Sequence, residues 1–120
     1  MASGTAVHRR WADIPFESIN PTIARRYVTG DRVTIAQFEL KKDGVIPRHS
    51  HENEQLTMVM SGALRFKFAD REVVVGPGEI IQMPAWLEHG VDVLEDSLVI
   101  DVFSPVRQDW LDKTDSYFTR

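Results

Sequence analysis

The segment His49-Ser50-His51, with Gln55 four residues on and His89 well downstream, holds the residue types best suited to chemistry in this chain. Successive side chains of an extended segment alternate sides, so the two imidazoles of a His-x-His unit point to one face. Two such nitrogens can share a divalent ion. A third histidine from a neighbouring strand completes a facial set, with room left for an oxygen ligand and a substrate. Of the four histidines, three fall in this arrangement, and His8 lies in the N-terminal segment without an assigned role. Cysteine is absent, so one divalent metal ion would be held by nitrogen and oxygen alone. Nickel, iron, manganese, zinc and cobalt all accept that donor set. The oxygen ligand is either the amide of Gln55 or the carboxylate of Glu54, since adjacent strand residues cannot both face inward. An amide would leave the full charge on the ion, which favours Lewis-acid work on an anion.

Asp101 interrupts the apolar run Leu98-Val99-Ile100-Asp101-Val102-Phe103. A carboxylate placed there is costly unless it is paired or used. By alternation it shares a face with Val99 and Phe103, and if that face lines a cavity Asp101 looks toward the metal. Phe103 would then be a wall against which a substrate ring packs. Arg107 is a candidate for bidentate binding of a carboxylate, with Arg25 and Arg26 as competitors. Met58, Met60, Met83 and Trp86 are expected as barrel lining and lid, with Met60 and Trp86 touching substrate.

The elements that must position these groups are strands. β-rich runs at 23–28, 32–40, 45–51, 56–60, 63–68, 71–75, 79–83, 90–94 and 98–103 are separated by turn signals such as Gly30-Asp31, Ser61-Gly62 and Gly76-Pro77-Gly78. That spacing predicts an all-β sandwich or barrel. A short C-terminal helix over 107–111 follows Ser104-Pro105. At 120 residues the chain is expected to form one domain over 13–120 after a tail at 1–12. A net charge of −4 without a basic stripe disfavours nucleic acid. No apolar run is long enough for a membrane span, and residues 1–6 do not resemble a signal peptide, which suits a cytoplasmic location. The run at 98–103 is apolar on both faces apart from Asp101, so its outer side needs a cover, and a homodimer is expected.

These residues resemble the two motifs of the cupin superfamily. The first reads Gly44-Val-Ile-Pro-Arg-His49-Ser-His51-Glu-Asn-Glu-Gln55, then Gly62, with Gln55 at the usual glutamate position. The second reads Gly78-Glu-Ile-Ile-Gln-Met-Pro84-Ala-Trp86-Leu-Glu-His89, with Trp86 where a glycine is common and Val93 where an asparagine is common. The resemblance implies a double-stranded β-helix, or jelly-roll barrel, a fold that hosts diverse chemistry. From about Ile14 to Leu111 the chain is similar to small cupins of the pectin-degradation-protein type, which linearise 4,5-unsaturated uronates. The more specific parts are Ile23-Ala-Arg25-Arg26, Glu39-Leu-Lys-Lys42, Pro47-Arg-His49-Ser-His51, Glu54-Gln55 and the tail from Leu94 to Arg107. The resemblance implies metal ligands His49, His51, Gln55 and His89, and pocket residues Asp101, Phe103 and Arg107. It implies a small anionic sugar-like substrate and ring opening to a linear 5-keto acid. Two other classes use the same histidines: an iron-dependent cupin dioxygenase, and a non-catalytic cupin that binds a sugar acid.

Overall fold

The computed structural model describes residues 4–115. Among these, a 3-10 turn at Trp11–Asp13 precedes eight strands: β1 (Glu17–Asn20), β2 (Ile23–Thr29), β3 (Thr34–Leu40), β4 (Val45–His49), β5 (Glu54–Lys67), β6 (Glu72–Val75), β7 (Ile80–Met83) and β8 (His89–Ser104). The short helix α1 (Gln108–Leu111) follows. The all-β class expected from turn spacing is the class observed, and every pairing among the described residues is antiparallel.

β5 and β8 are the two long strands, and they pair with each other from Glu54↔Ser104 to Lys67↔Gly90. Each contributes to two sheets. In the first, β2 pairs with β1 and β3, residues 97–103 of β8 pair with β3, and residues 55–58 of β5 pair with β7. In the second, the start of β8 pairs with β4, and residues 64–67 of β5 pair with β6. Between the two halves the register shifts three times, at Val59/Ser61, Ser61/Ala63 and Ala63/Leu64. Such bulges bend a ladder and let one strand pass from sheet to sheet.

Here the structure departs from the strand ends expected at Ser61-Gly62 and Glu95-Asp96. Both pairs lie inside continuous strands, as corners of the β5–β8 ladder. Gly62 takes φ +90° at the corner, a conformation open to glycine at little cost. The Ser97 hydroxyl bridges the bend, accepting from the Ala63 N–H at 3.1 Å and donating to the Glu95 carbonyl at 2.7 Å. A bulge and a turn call for the same residues, so sequence alone reads both as a turn. β4 also stops at His49, two residues earlier than expected. Among the described residues it pairs only with β8, and its ladder loses register between Ile46 and His49, beside Pro47, which has no N–H to donate.

The interior follows the two-residue alternation. On β3, Thr34, Ala36, Phe38 and Leu40 are buried while Ile35 and Glu39 are exposed. Phe38, Leu40, Leu64, Phe66, Val91, Val93 and Val99 join in one apolar core between the sheets. At the other end Trp110 of α1 is packed against Tyr27, Phe38 and Phe103, with ring centroids 5.1, 6.0 and 5.1 Å away. Between the apolar plug and this aromatic cap lie the polar inward residues.

The corner at Gly62 generates a stability prediction. A Cβ there would collide with the Asp96 carbonyl and the Ser97 side chain, and the positive φ is unfavourable for alanine. Gly62→Ala should cost on the order of 1–3 kcal/mol. A lower urea midpoint at an unchanged slope would show it, and an unchanged midpoint would remove the assigned corner strain.

Candidate metal centre

Each of the three histidines reaches the cavity by a different route. His49 ends β4, and His89 begins β8 directly opposite it in the ladder. His51 stands just beyond β4 in a loop, where its carbonyl accepts the Trp86 N–H at 2.8 Å. The ring centroids lie 4.5 Å apart for His49–His89, 5.4 Å for His51–His89 and 5.6 Å for His49–His51. One ring nitrogen from each falls within 4.8 Å of the others.

Hydrogen bonds fix which nitrogen of each ring is turned to a backbone carbonyl. His49 Nδ1 sits 2.8 Å from the Pro47 carbonyl, His51 Nδ1 3.1 Å from that of Asn53, and His89 Nδ1 2.9 Å from that of Leu87. A carbonyl oxygen only accepts, so Nδ1 carries the proton in His49 and His89, leaving Nε2 its lone pair; His51 faces an acceptor oxygen 3.1 Å from each nitrogen, Asn53 O at Nδ1 and Gln55 Oε1 at Nε2, and shares that tautomer when its proton goes to Asn53. This is how protein metal sites orient imidazole ligands. Burial lowers all three pKa values, to about 3 for His49 and about 4 for His51, so those two rings are neutral well below pH 7.

Gln55 faces the same point. Its Oε1 lies 3.1 Å from His51 Nε2. In the tautomer with Nδ1 protonated, as in the other two rings, both atoms are acceptors. Two lone pairs facing one another, joined by two more from His49 and His89, fit a cation shared among them. Glu54 points away, exposed, and accepts from the Gln82 amide at 2.7 Å. Of the two candidates for the oxygen ligand, Gln55 faces the histidines.

Beneath the histidines, Thr57 and Asp101 are directly opposed in the β5–β8 ladder. The Gln55 amide nitrogen donates to the Thr57 hydroxyl at 2.9 Å, and that hydroxyl donates to Asp101 Oδ1 at 2.5 Å. Desolvation lifts the Asp101 pKa to about 6, against the opposing pull of Thr57, Arg107 and Gln55. Phe103 is buried two residues on, its ring 5.8 Å from that of His51. Arg107 is 1% exposed and borders the cavity with its face over Phe103 and Trp110, at 4.6 and 4.4 Å. Its Nε and Nη2 donate to the two Asp109 oxygens at 2.9 and 2.7 Å. Burial alone would raise the Asp109 pKa, but the pair with Arg107 prevails and holds it below the usual range.

The structure therefore brings together His49, His51, Gln55, His89, Asp101, Phe103 and Arg107, and leaves three expected substrate contacts outside. Arg25 lies behind Trp110, stacked 4.2 Å over its ring and bonded to Glu17 and Asp115 at 3.1 and 2.8 Å. Both carboxylates neutralise it on the far side of the aromatic cap. Met60 is half exposed, because it alternates with inward Val59 on β5 and so faces outward. Trp86 is 67% exposed in the loop before β8, at φ +66°, and contributes a backbone N–H rather than a wall. Of the other expected lining residues, Met83 is buried and Met58 half-buried on the outward alternation of β5. Arg26 is turned away too, holding the Trp11 and Ile14 carbonyls at 2.7 and 3.3 Å.

Two contributors were not singled out in the sequence. Thr57 was legible in principle, two residues from Gln55 and so on the same face. Asn53 gave no local signal. It is buried and donates to the Pro105 and Val106 carbonyls at 2.6 and 3.1 Å, tying the histidine loop to the segment that carries Arg107. The cavity lined by His49, Gln55, His89, Asp101, Phe103 and Arg107 holds about 30 Å³. That is room for an ion and a water.

Comparison with known proteins agrees with this geometry. The cupin domain family profile matches residues 36–103. The chain belongs to the cupin family. Its fold is similar to that of KdgF from a Halomonas species, at 28% identity and a TM-score of 0.77, over 82% of this chain and 94% of that one. That likeness supports the resemblance to the small pectin-degradation-type cupins. An RmlC-like cupin from Shewanella frigidimarina superposes with a TM-score of 0.81 at 20% identity, over 88% of this chain and 96% of that one. A variant of oxalate decarboxylase from Bacillus subtilis gives 0.73 at 20% identity, over 86% of this chain and 31% of that one, a likeness of fold. No curated protein sequence matches.

The depressed histidines generate a pH prediction. Between a folded pKa of about 3 or 4 and the unfolded value of 6.5, the unfolded chain binds more protons than the native one, so stability falls as pH falls. Asp101 acts oppositely between 3.8 and about 6, but it is one group against three. Metal-free protein should therefore lose stability steadily from about pH 6.5 down to pH 4. Urea midpoints that stay flat or rise over that range would contradict the assigned neutral rings.

Proposed function

We propose that this cupin is a metal-dependent enzyme that opens the ring of a 4,5-unsaturated uronate to a linear 5-keto acid. The observation that carries the proposal is the meeting, in one cavity, of four lone-pair donors, a buried carboxylate and a guanidinium. His49, His51, Gln55 and His89 would hold one divalent ion. Bound there, the ion would supply a Lewis acid for a sugar oxygen. Asp101 removes the proton of the anomeric hydroxyl as the C1–O5 bond breaks, leaving an aldehyde at C1 and an enolate at C5. The same carboxyl then delivers that proton to C4 as the enolate becomes a ketone, so the product is an isomer of the substrate. A carboxyl whose pKa sits near 6 suits both halves of that task. Phe103 packs on the sugar, and Arg107 takes the uronate carboxylate bidentately.

A sugar acid is larger than the pocket beside the ligands, about 30 Å³, and would extend through its open side. Binding of its carboxylate at Arg107 would require Asp109 to yield an edge of the guanidinium that its two oxygens hold. A cysteine-free site of this kind suits the cytoplasm. The cavity size also favours a second reading, an iron cupin acting on dioxygen, which is small enough to fit the pocket as it stands.

The discriminating experiment incubates metal-loaded protein with unsaturated galacturonate and with the guluronate-derived monomer. Loss of the absorbance of the conjugated double bond is the expected result. Oxygen uptake by the Fe(II)-loaded protein, without that loss, would replace the proposal with the dioxygenase. A ligand bound but not consumed would mark a sensing module. Asp101→Asn should slow turnover about 10²- to 10⁴-fold. A near-wild-type rate would end the proton-shuttle role. We also propose a homodimer. On the first sheet Leu98, Ile100 and Val102 of β8 stand beside exposed Ile35, Leu56 and Met60, an outward apolar surface on a strand also buried inside. Light scattering after size exclusion should give twice the chain mass, 27 kDa being about twice 13.7 kDa. A strict monomer would remove the dimer.

A further inference from the structure

Gln55 is an amide, and an amide has two faces of opposite character: the oxygen can ligate a cation and the nitrogen cannot. A glutamine is therefore a metal ligand only while something prevents it from flipping. We infer that Thr57 is the positioning residue that holds the Gln55 amide with its oxygen toward the histidines, by relaying the polarity of Asp101. The inference rests on the metal reading above and adds a residue to it.

The hydrogen bonds run in one direction. Asp101 is a carboxylate acceptor, and the Thr57 hydroxyl, 2.5 Å away, spends its single proton on it. The hydroxyl oxygen can then only accept, so the Gln55 group 2.9 Å from it must be the NH2. That leaves Oε1 at the other end, 3.1 Å from His51 Nε2. A flipped amide would face its oxygen to the lone pairs of Thr57 and its NH2 to the ion. Thr57 is 1% exposed and Asp101 7%, so no solvent supplies a substitute. The fold builds the relay from strand register. Gln55 and Thr57 are two residues apart on β5, and Asp101 sits opposite Thr57 on β8. Beyond Asp101, Ala36 is its partner on β3 and is too small to intrude.

Valine matches the shape and β-branching of threonine and lacks the hydroxyl, so Thr57→Val removes the relay with little change of packing. The readout is affinity for Ni2+ alone by titration calorimetry, since nitrogen-rich sites bind it more tightly than iron or manganese. Thr57→Val should weaken Ni2+ binding about 10-fold, the size of loss seen when a group orienting a ligand is removed. Thr57→Ser, which keeps the hydroxyl, should restore it. The decisive comparison is in a Gln55→Glu background. A carboxylate has two equivalent oxygens and cannot present a wrong face, so there Thr57→Val should cost almost nothing. An equal loss in both backgrounds would mean that Thr57 serves packing, and would overturn the inference. So would wild-type affinity in Thr57→Val. Failure of the wild-type protein to bind Ni2+ would overturn the metal reading itself, and the inference with it, before any variant is compared.

Discussion

The antiparallel pairing of β5 with β8 is the constraint on which the rest of this structure depends. Each strand runs through both sheets, so one ladder sets the sandwich geometry and the site geometry together. The register that puts Gln55 opposite Phe103 and Thr57 opposite Asp101 also leaves His89 at the far end of β8, where β4 meets it with His49. A slip of one residue would turn every one of these groups to the outer face. The bulged corner around Gly62 and Ser97 is what lets two strands serve both sheets, and the buried Val59, Leu64, Val93 and Val99 around it make the register costly to change.

The centre is organised by backbone carbonyls more than by charge. Pro47, Asn53 and Leu87 each present a carbonyl to one imidazole Nδ1. Two of these come from loops whose own shape is fixed elsewhere: Trp86 donates its N–H to His51, and Asn53 grips the chain ahead of Arg107. The carboxylate nearest the ligands, Asp101, reaches them only through Thr57 and Gln55. Arg107 and Asp109 form a pair of their own over the aromatic cap. Positive and negative groups are thus present in the cavity but held at its floor and rim, with neutral donors between.

Much of this was legible in residue order, for identifiable reasons. Period-two alternation is a strong signal, so the strands and the shared face of Asp101 and Phe103 follow from it, and it limits the oxygen ligand to one of Gln55 and Glu54 without choosing between them. The histidine cluster was legible because three of four histidines share a pattern no core needs. The corners were not, since glycine and serine serve a bulge as readily as a turn, and two long bent strands read as four short ones. Nor was the fate of the arginines. Arg25 and Arg107 look alike in sequence, and only the placement of Glu17, Asp115 and Trp110 sends one behind the cap and the other to the cavity. Met60 and Trp86 were expected at the site because apolar residues near histidines suggest a lining, but their strand phase and loop geometry turn them outward.

Three imidazoles steadied by carbonyls differ from three steadied by carboxylates in one respect that reaches beyond the cavity. Carboxylates behind the rings would raise their basicity and deepen the grip on any ion. Carbonyls orient without that gain, and geometry alone discriminates weakly among first-row divalent metals of similar size. An ion held there would then be chosen by cellular supply acting on the ordinary affinity order of a nitrogen-rich donor set, and cells grown on different trace-metal regimes would charge the same polypeptide with different elements.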